Sequence, residues 1–268
     1  MSQALGQAQG ALAGSAARGR VRTVVAPLVL GVAIVLLWQA ATVVLAIKPF
    51  VLPAPFAIGA RFADRIEFIV PAALATGWNA LLGLVVGAVV GILIAALAAA
   101  VRPIEQLGAP IATALSVIPI VSLAPVFYTM FDSSTDTTRV IVAAIAVFVP
   151  VYFNTLRGLL TSLPVHRDLM RAYAATGWQT TRTVTLPGAL PFLFTGLRIA
   201  SSLAVISSLV AEYFGGPVTG LGKAVTSAVS SSDYPLAWAF VIGAIVTGLA
   251  FYLVTYAIEL IVLRHRRR

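Results

Sequence analysis

The sequence predicts an all-α membrane protein with about six transmembrane helices and both termini in the cytoplasm. Three observations predict it. The 268 residues are 60% hydrophobic and only 10% charged, and their mean hydropathy is +0.99, against roughly 25% charged residues in soluble domains. Several apolar runs exceed the roughly 18–20 residues needed to cross a bilayer. The basic residues then gather at alternate ends of those runs, as cytoplasmic loops require.

Residues 1–22 are rich in Ala, Gly and Gln with no apolar face, the composition of a disordered tail. Arg18, Arg20 and Arg22 precede the first span, 24–47. That span is longer than the roughly 7–15 apolar residues of a cleavable signal peptide. An outside segment follows, with the proline pair Leu52-Pro53-Ala54-Pro55 and a short interfacial helix expected over 58–68. The second span lies within 70–101, where Gly83, Gly87 and Gly91 share one helix face and permit close helix packing. The third is expected over 107–131, interrupted by Pro110, Pro119 and Pro125. Such breaks suit either a pore-lining element or a kinked packing helix. The fourth covers 139–160, the fifth 192–214 and the sixth 236–263, before the basic tail 264–268. Residues 23–263 thus form one transmembrane domain.

The net charge of +9 follows from this topology and does not point to nucleic acid. Arg102, Arg157 and Arg198 fall inside; Lys48, Arg139 and Lys223 fall outside, with Asp132, Asp136 and Asp233. There is no cysteine and there are only two histidines, His166 and His265, both in basic surface-like sequence, so neither thiol chemistry nor a metal site is expected. The stretch from Gly216 to Ala224 is a near miss for a phosphate loop. It has one residue too many before Gly222-Lys223, and Ala224 stands where a hydroxyl is required. The chain is therefore expected to bind no cofactor and to be no enzyme.

Ionisable groups within or beside spans are functional candidates. Glu212, beside Tyr213 and Phe214, is expected at the outer mouth, shaping a gate or substrate path or else capping the helix; Glu259 is expected to pair with the C-terminal arginines. The fifth span has a small, hydroxylated face built from Ala200, Ser201, Ala204, Ser207, Ser208 and Ala211. Close packing and a polar translocation wall both suit it. With Pro119, Ser122 and Pro125, the residues Ser201, Ser207, Ser208 and Glu212 make up the candidate pathway.

The most informative segment is the inner loop, about 164–187, between the fourth and fifth spans. It reads as a short helix with Asp168 and Arg171 spaced to pair. Trp178 is an interface-type anchor, and Thr185-Leu186-Pro187 closes the loop, with Pro187 restarting the next helix. A loop that only joins two spans needs none of this. One that docks on another protein does, and an amphipathic helix lying on lipid is the other reading.

These residues resemble the coupling loop of permease subunits of bacterial ATP-binding-cassette importers, the nitrate/sulfonate/taurine-type branch. That family's loop signature has an acid, a glycine, and a hydrophobic residue followed by Leu-Pro. Here they fall on Asp168, on Ala174, and on Val184 with Leu186-Pro187. The signature's alanines fall on Leu169 and Met170, and Gly177, three residues beyond Ala174, is expected to supply the flexibility of the missing glycine. Further matches are Leu52 to Pro55, Ile118 to Pro125, Phe148 to Gly158, Leu186 to Ala200 and Gly220-Leu221-Gly222, so the resemblance covers about residues 50–260.

The resemblance implies a type I importer permease fold in the cell (cytoplasmic) membrane. It implies a second permease copy, two ATPase subunits that use ATP and Mg, and an extracytoplasmic binding protein. It further implies a solute that is a sulfonate, taurine or nitrate-like anion, or a vitamin-related pyrimidine or riboflavin. The stretch Ala211 to Gly216 resembles the pyrimidine- and riboflavin-type members. An ion-coupled secondary transporter is the alternative, although the intramembrane coupling groups and internal repeats usual there are not evident.

Overall fold

A computed structural model describes residues 25–161 and 164–264. The expected tail 1–22 lies outside these residues, as does all of the basic tail beyond Arg264. The chain divides into two compact units, Met1–Arg61 and Phe62–Arg268.

In the first unit, α1 (Val25–Val44) is an apolar helix long enough to span. The chain then turns, and the Gln39 side-chain oxygen accepts the Phe56 amide at 3.0 Å. This bond fixes the entry to α2 (Pro55–Asp64), which begins on Pro55. Proline is preorganised for a first helical position.

The second unit is organised on three long helices: α3 (Ile66–Ala100), α6 (Thr137–Leu160) and α9 (Leu186–Phe214). Helix α3 is apolar on every side, as expected of a helix shared between lipid and protein. Its glycine row meets α6 at backbone distance. A Cβ on Gly87 would fall 2.8 Å from the Val147 side chain, and one on Gly91 would fall 3.2 Å from the Phe148 carbonyl. Between α6 and α9 the same device recurs, Gly196 lying where a Cβ would come 2.9 Å from the Pro150 carbonyl. The buried core of this contact is Ala80, Ala88, Val147, Val151, Ala200, Ala204 and Val205.

The expected third span is a broken one, α4 (Arg102–Val117) and α5 (Ile120–Met130), bent by 101°. Only Pro119 breaks it; Pro110 and Pro125, also expected to interrupt the span, lie within α4 and α5. The residue before a proline is pushed out of the helical region, and Ile118 is extended (φ −64°, ψ 122°). The loop 164–187 forms α7 (Pro164–Ala172) and α8 (Gly177–Thr180). A π turn over Thr181–Thr185 then joins α8 to α9, so one helix runs without a break from Gly177 to Phe214. Pro187 therefore does not restart a helix. It sits inside a continuous one, and the wider turn just before it accommodates a residue that has no amide to donate. After α9 come α10 (Leu221–Ser230), a short helix between the expected fifth and sixth spans, and α11 (Tyr234–Arg264). Among the described residues five helices are long and apolar enough to span, six with the broken pair.

Candidate functional site

Two polar assemblies stand at opposite ends of α9, whose 29 residues measure about 43 Å at the helical rise. One is the loop 164–187. Asp168 and Arg171 pair on α7 at 3.5 Å, both side chains more than two-thirds exposed. Val165, Leu169 and Tyr173 recur every fourth residue and are all exposed, as is Trp178 at 69%. Four large apolar side chains exposed on a short loop form an unpartnered patch.

The turn between α7 and α8 is a Schellman closure. Ala175 donates to the Met170 carbonyl at 3.0 Å and Ala174 to the Arg171 carbonyl at 2.9 Å. Ala174 takes the left-handed conformation (φ 50°), the place where glycine is usual. The left-handed residue is thus Ala174 itself, at the signature's glycine position. Gly177, expected to supply that freedom, is the first residue of α8, with no positive φ. Thr176 caps α8 reciprocally with Gln179: the Gln179 amide donates to Thr176 Oγ1 at 3.3 Å, and the Thr176 amide to Gln179 Oε1 at 2.7 Å. Val184 lies half-buried in the π turn, Leu186 is exposed, and Pro187 is half-buried.

The other assembly surrounds Glu212, which is fully buried. Its Oε2 accepts the Thr76 hydroxyl and the Gly222 amide, each at 2.9 Å, and Thr76 Oγ1 accepts the Leu221 amide at 2.8 Å. The carboxyl group thereby satisfies the amide end of α10, where anions bind well. Gly220 (φ 93°) packs its Cα against that carboxyl, leaving no room for a Cβ. The glycine-rich stretch that narrowly misses a phosphate loop thus cradles a carboxyl group of its own chain. Beside it Arg139, also fully buried, donates to Asp136 at 2.6 Å, to the Pro217 carbonyl at 2.6 Å and to Thr219 at 3.3 Å. Asn79 donates to the same Asp136 oxygen at 3.1 Å.

This geometry corrects several expectations. Glu212 lines no mouth; it ties α9 to α3 and α10. Ser201, Ser207 and Ser208 form no exposed wall, since all three are buried within this chain's own bundle, and Ser201 bonds back to the Arg198 carbonyl at 2.8 Å. Pro119, Ser122 and Pro125 do remain exposed, on the side of α5 opposite Ala124 and Phe127. Glu259 pairs with Arg198 at 3.0 Å, a partner inside α9, so Arg198 does not sit at a span end. Arg139, expected outside at the start of the fourth span, is fully buried. Thr76 and Asn79 were missed altogether, although two polar residues three apart in an apolar run were a visible signal. Among the described residues no cluster of metal-ligating side chains occurs.

A bundle of helices long and apolar enough to span a membrane, with one exposed loop between two of them, is the architecture of a multi-pass membrane protein. Residues 87–268 match the family model of the binding-protein-dependent transport system inner membrane component, and the chain belongs to that family, the permease subunits of ABC transporters. It is similar to the riboflavin transport system permease protein RibX of Chloroflexus aurantiacus, 35% identical over 85% of both chains. It is also similar to the formylaminopyrimidine transport permease protein ThiX of Halalkalibacterium halodurans, 31% identical over 70% of this chain and 75% of that one. The putative aliphatic sulfonates transport permease protein SsuC of Escherichia coli is 32% identical over 70% and 72%. In structure the chain matches the crystal structure of an amino acid ABC transporter, with a TM-score of 0.61 at 16% identity over 74% of this chain and 95% of that one. That likeness shows the fold. The family excludes the ion-coupled carrier, and the chain is a transport component of the cell membrane.

Proposed function

We propose that this permease couples to ABC ATPase subunits through the loop 164–187, with both termini on the same cytoplasmic side. The observation that carries the reading is the exposed stripe of Val165, Leu169 and Tyr173 with Trp178 beside it, anchored by the Asp168–Arg171 pair. Aromatic anchors and paired charges are what a protein groove recognises. Val184, Leu186 and Pro187 set the loop onto α9, so force on the loop passes directly into a long helix of the core. A second permease copy completes the translocation path, with the exposed α5 face of Pro119, Ser122 and Pro125 turned toward it. An extracytoplasmic binding protein delivers the solute. ATP and Mg belong to the ATPase, and this chain contributes no catalytic residue.

For the solute, the reading favours a vitamin-related pyrimidine or flavin over a sulfonate or nitrate-like anion. The relatives named for riboflavin and formylaminopyrimidine transport support it, as does the Ala211 to Gly216 stretch.

Trp178→Ala and Asp168→Ala test the coupling loop. Both side chains are exposed, so each variant should insert and fold normally yet recover less ATPase in a mild-detergent pull-down. Normal recovery together with normal uptake in both variants would refute the docking assignment. Uptake of labelled riboflavin, thiamine precursor and taurine tests the solute, and transport of taurine alone would reverse the choice.

A further inference from the structure

At the α10 end of the bundle, α3, α10 and α11 enclose a cavity of about 480 Å³. Its walls are apolar, with Phe68 and Pro71 on α3 and Leu236 and Phe240 on α11. Its charged lining is cationic, Arg65 ahead of α3 and Lys223 on α10, with the hydroxyl residues Thr219, Ser227 and Ser231 beside them.

Lys223 is the informative residue. It occupies the first turn of α10, where the helix dipole disfavours a cation. It is half-buried, and among the described residues no carboxylate pairs with it. Arg65 reaches Asp64 only at 3.9 Å and lies 5.7 Å from the centre of the Phe68 ring. The nearest buried acid, Glu212, is turned away behind Gly220, engaged with the Gly222 amide and Thr76. Thr219 and Gly220, both cavity-lining, belong to the segment that Arg139 pins in place. The site is thus rigid, apolar in its depth and positively charged at Lys223 and Arg65.

We propose that this cavity binds an anionic amphiphile: a phosphate or sulfonate group on Lys223 and Arg65, with an apolar or aromatic body against Phe68, Pro71 and Phe240. Both a membrane phospholipid and a soluble aryl anion have this chemistry. The site goes beyond the transport reading and does not depend on which solute is carried.

Native mass spectrometry of the full complex in zwitterionic detergent distinguishes the two sources, using phosphatidylglycerol and naphthalene-2-sulfonate as probes and phosphatidylcholine as the uncharged-balance control. The expected result is that one anionic probe binds, that Arg65→Gln with Lys223→Gln weakens it about a hundredfold, and that Lys223→Arg retains it. That estimate allows roughly a factor of ten for each lost charged contact. Lys48→Gln, which removes a cation from the first unit, should leave binding unchanged. Phosphatidylglycerol binding assigns the site to lipid, and naphthalene-2-sulfonate binding assigns it to a soluble anion. Binding of neither, or binding that the double variant and Lys48→Gln lower alike, overturns the proposal. Elution of the double variant as an intact complex shows that lost binding is not lost folding.

Discussion

The Thr76 hydroxyl on α3 donates to Glu212 on α9 while accepting the Leu221 amide of α10, so one oxygen ties three helices together at a fully buried point. Thr76→Val keeps the shape and removes both bonds. It should cost about 1–3 kcal/mol, because a buried amide and a carboxyl oxygen each lose a partner. The thermal midpoint of the detergent-solubilised protein would fall by roughly 2–4 °C for each kcal/mol. An unchanged midpoint would show that this junction contributes little.

Arg139 is expected to order the segment 215–219 more than it stabilises its ion pair. Asp136 is nearly half exposed while Arg139 is fully buried, so the guanidinium depends on every acceptor around it and not on the ion pair alone. The Pro217 carbonyl has its guanidinium bond at 2.6 Å. Arg139→Met should cost roughly 2–4 kcal/mol and accelerate amide exchange across 215–220, with α7 unaffected. Arg139→Lys should recover only part, because one ammonium cannot span both Asp136 and Pro217.

Ala174→Gly should stabilise the loop 164–187 by about 1 kcal/mol, since an L-residue pays that much for the left-handed conformation. Hydrogen exchange at the Ala175 amide, which closes onto Met170, would slow. Gly177→Ala should be neutral within about 0.5 kcal/mol, as a Cβ there meets nothing within 4 Å. Loss of stability in the first variant would contradict the backbone geometry.

Gly87→Ala should destabilise by about 1–3 kcal/mol through overpacking, because its Cβ would press on α6. Gly248→Ala on α11 enters open space and should stay within about 1 kcal/mol of neutral, tilted toward a gain by helix propensity. Equal effects in the two variants would remove the close α3–α6 contact as a source of stability.

The spans were legible in the sequence because length and apolarity are local properties: each observed spanning helix overlaps its expected run, and the glycine row at 83, 87 and 91 lies where helix packing needs it. Partner choice was not local. Nothing in the neighbourhood of Glu212 discloses Thr76 on a distant helix, nor does the C-terminal arginine run disclose that Glu259 meets Arg198. The serines of α9 read equally well as wall or filling, and only the position of α6 decides between them. Helix α10 went unseen because glycines and hydroxyl residues mask a ten-residue helix whose amide end is capped from outside its own segment. The loop 164–187 was legible as a signature, yet its left-handed turn was displaced onto Gly177 by the habit of assigning such turns to glycine.

The π turn at Thr181–Thr185 acts as an angular setting. It holds one residue more than an α-helical turn needs, which rotates everything before it around the axis of α9. Deleting a single threonine there would restore ordinary winding and swing Trp178 by about 100°, aiming the aromatic away from its present direction while leaving the core below unaltered. The compass bearing of the loop is thus written in the five residues that join α8 to α9.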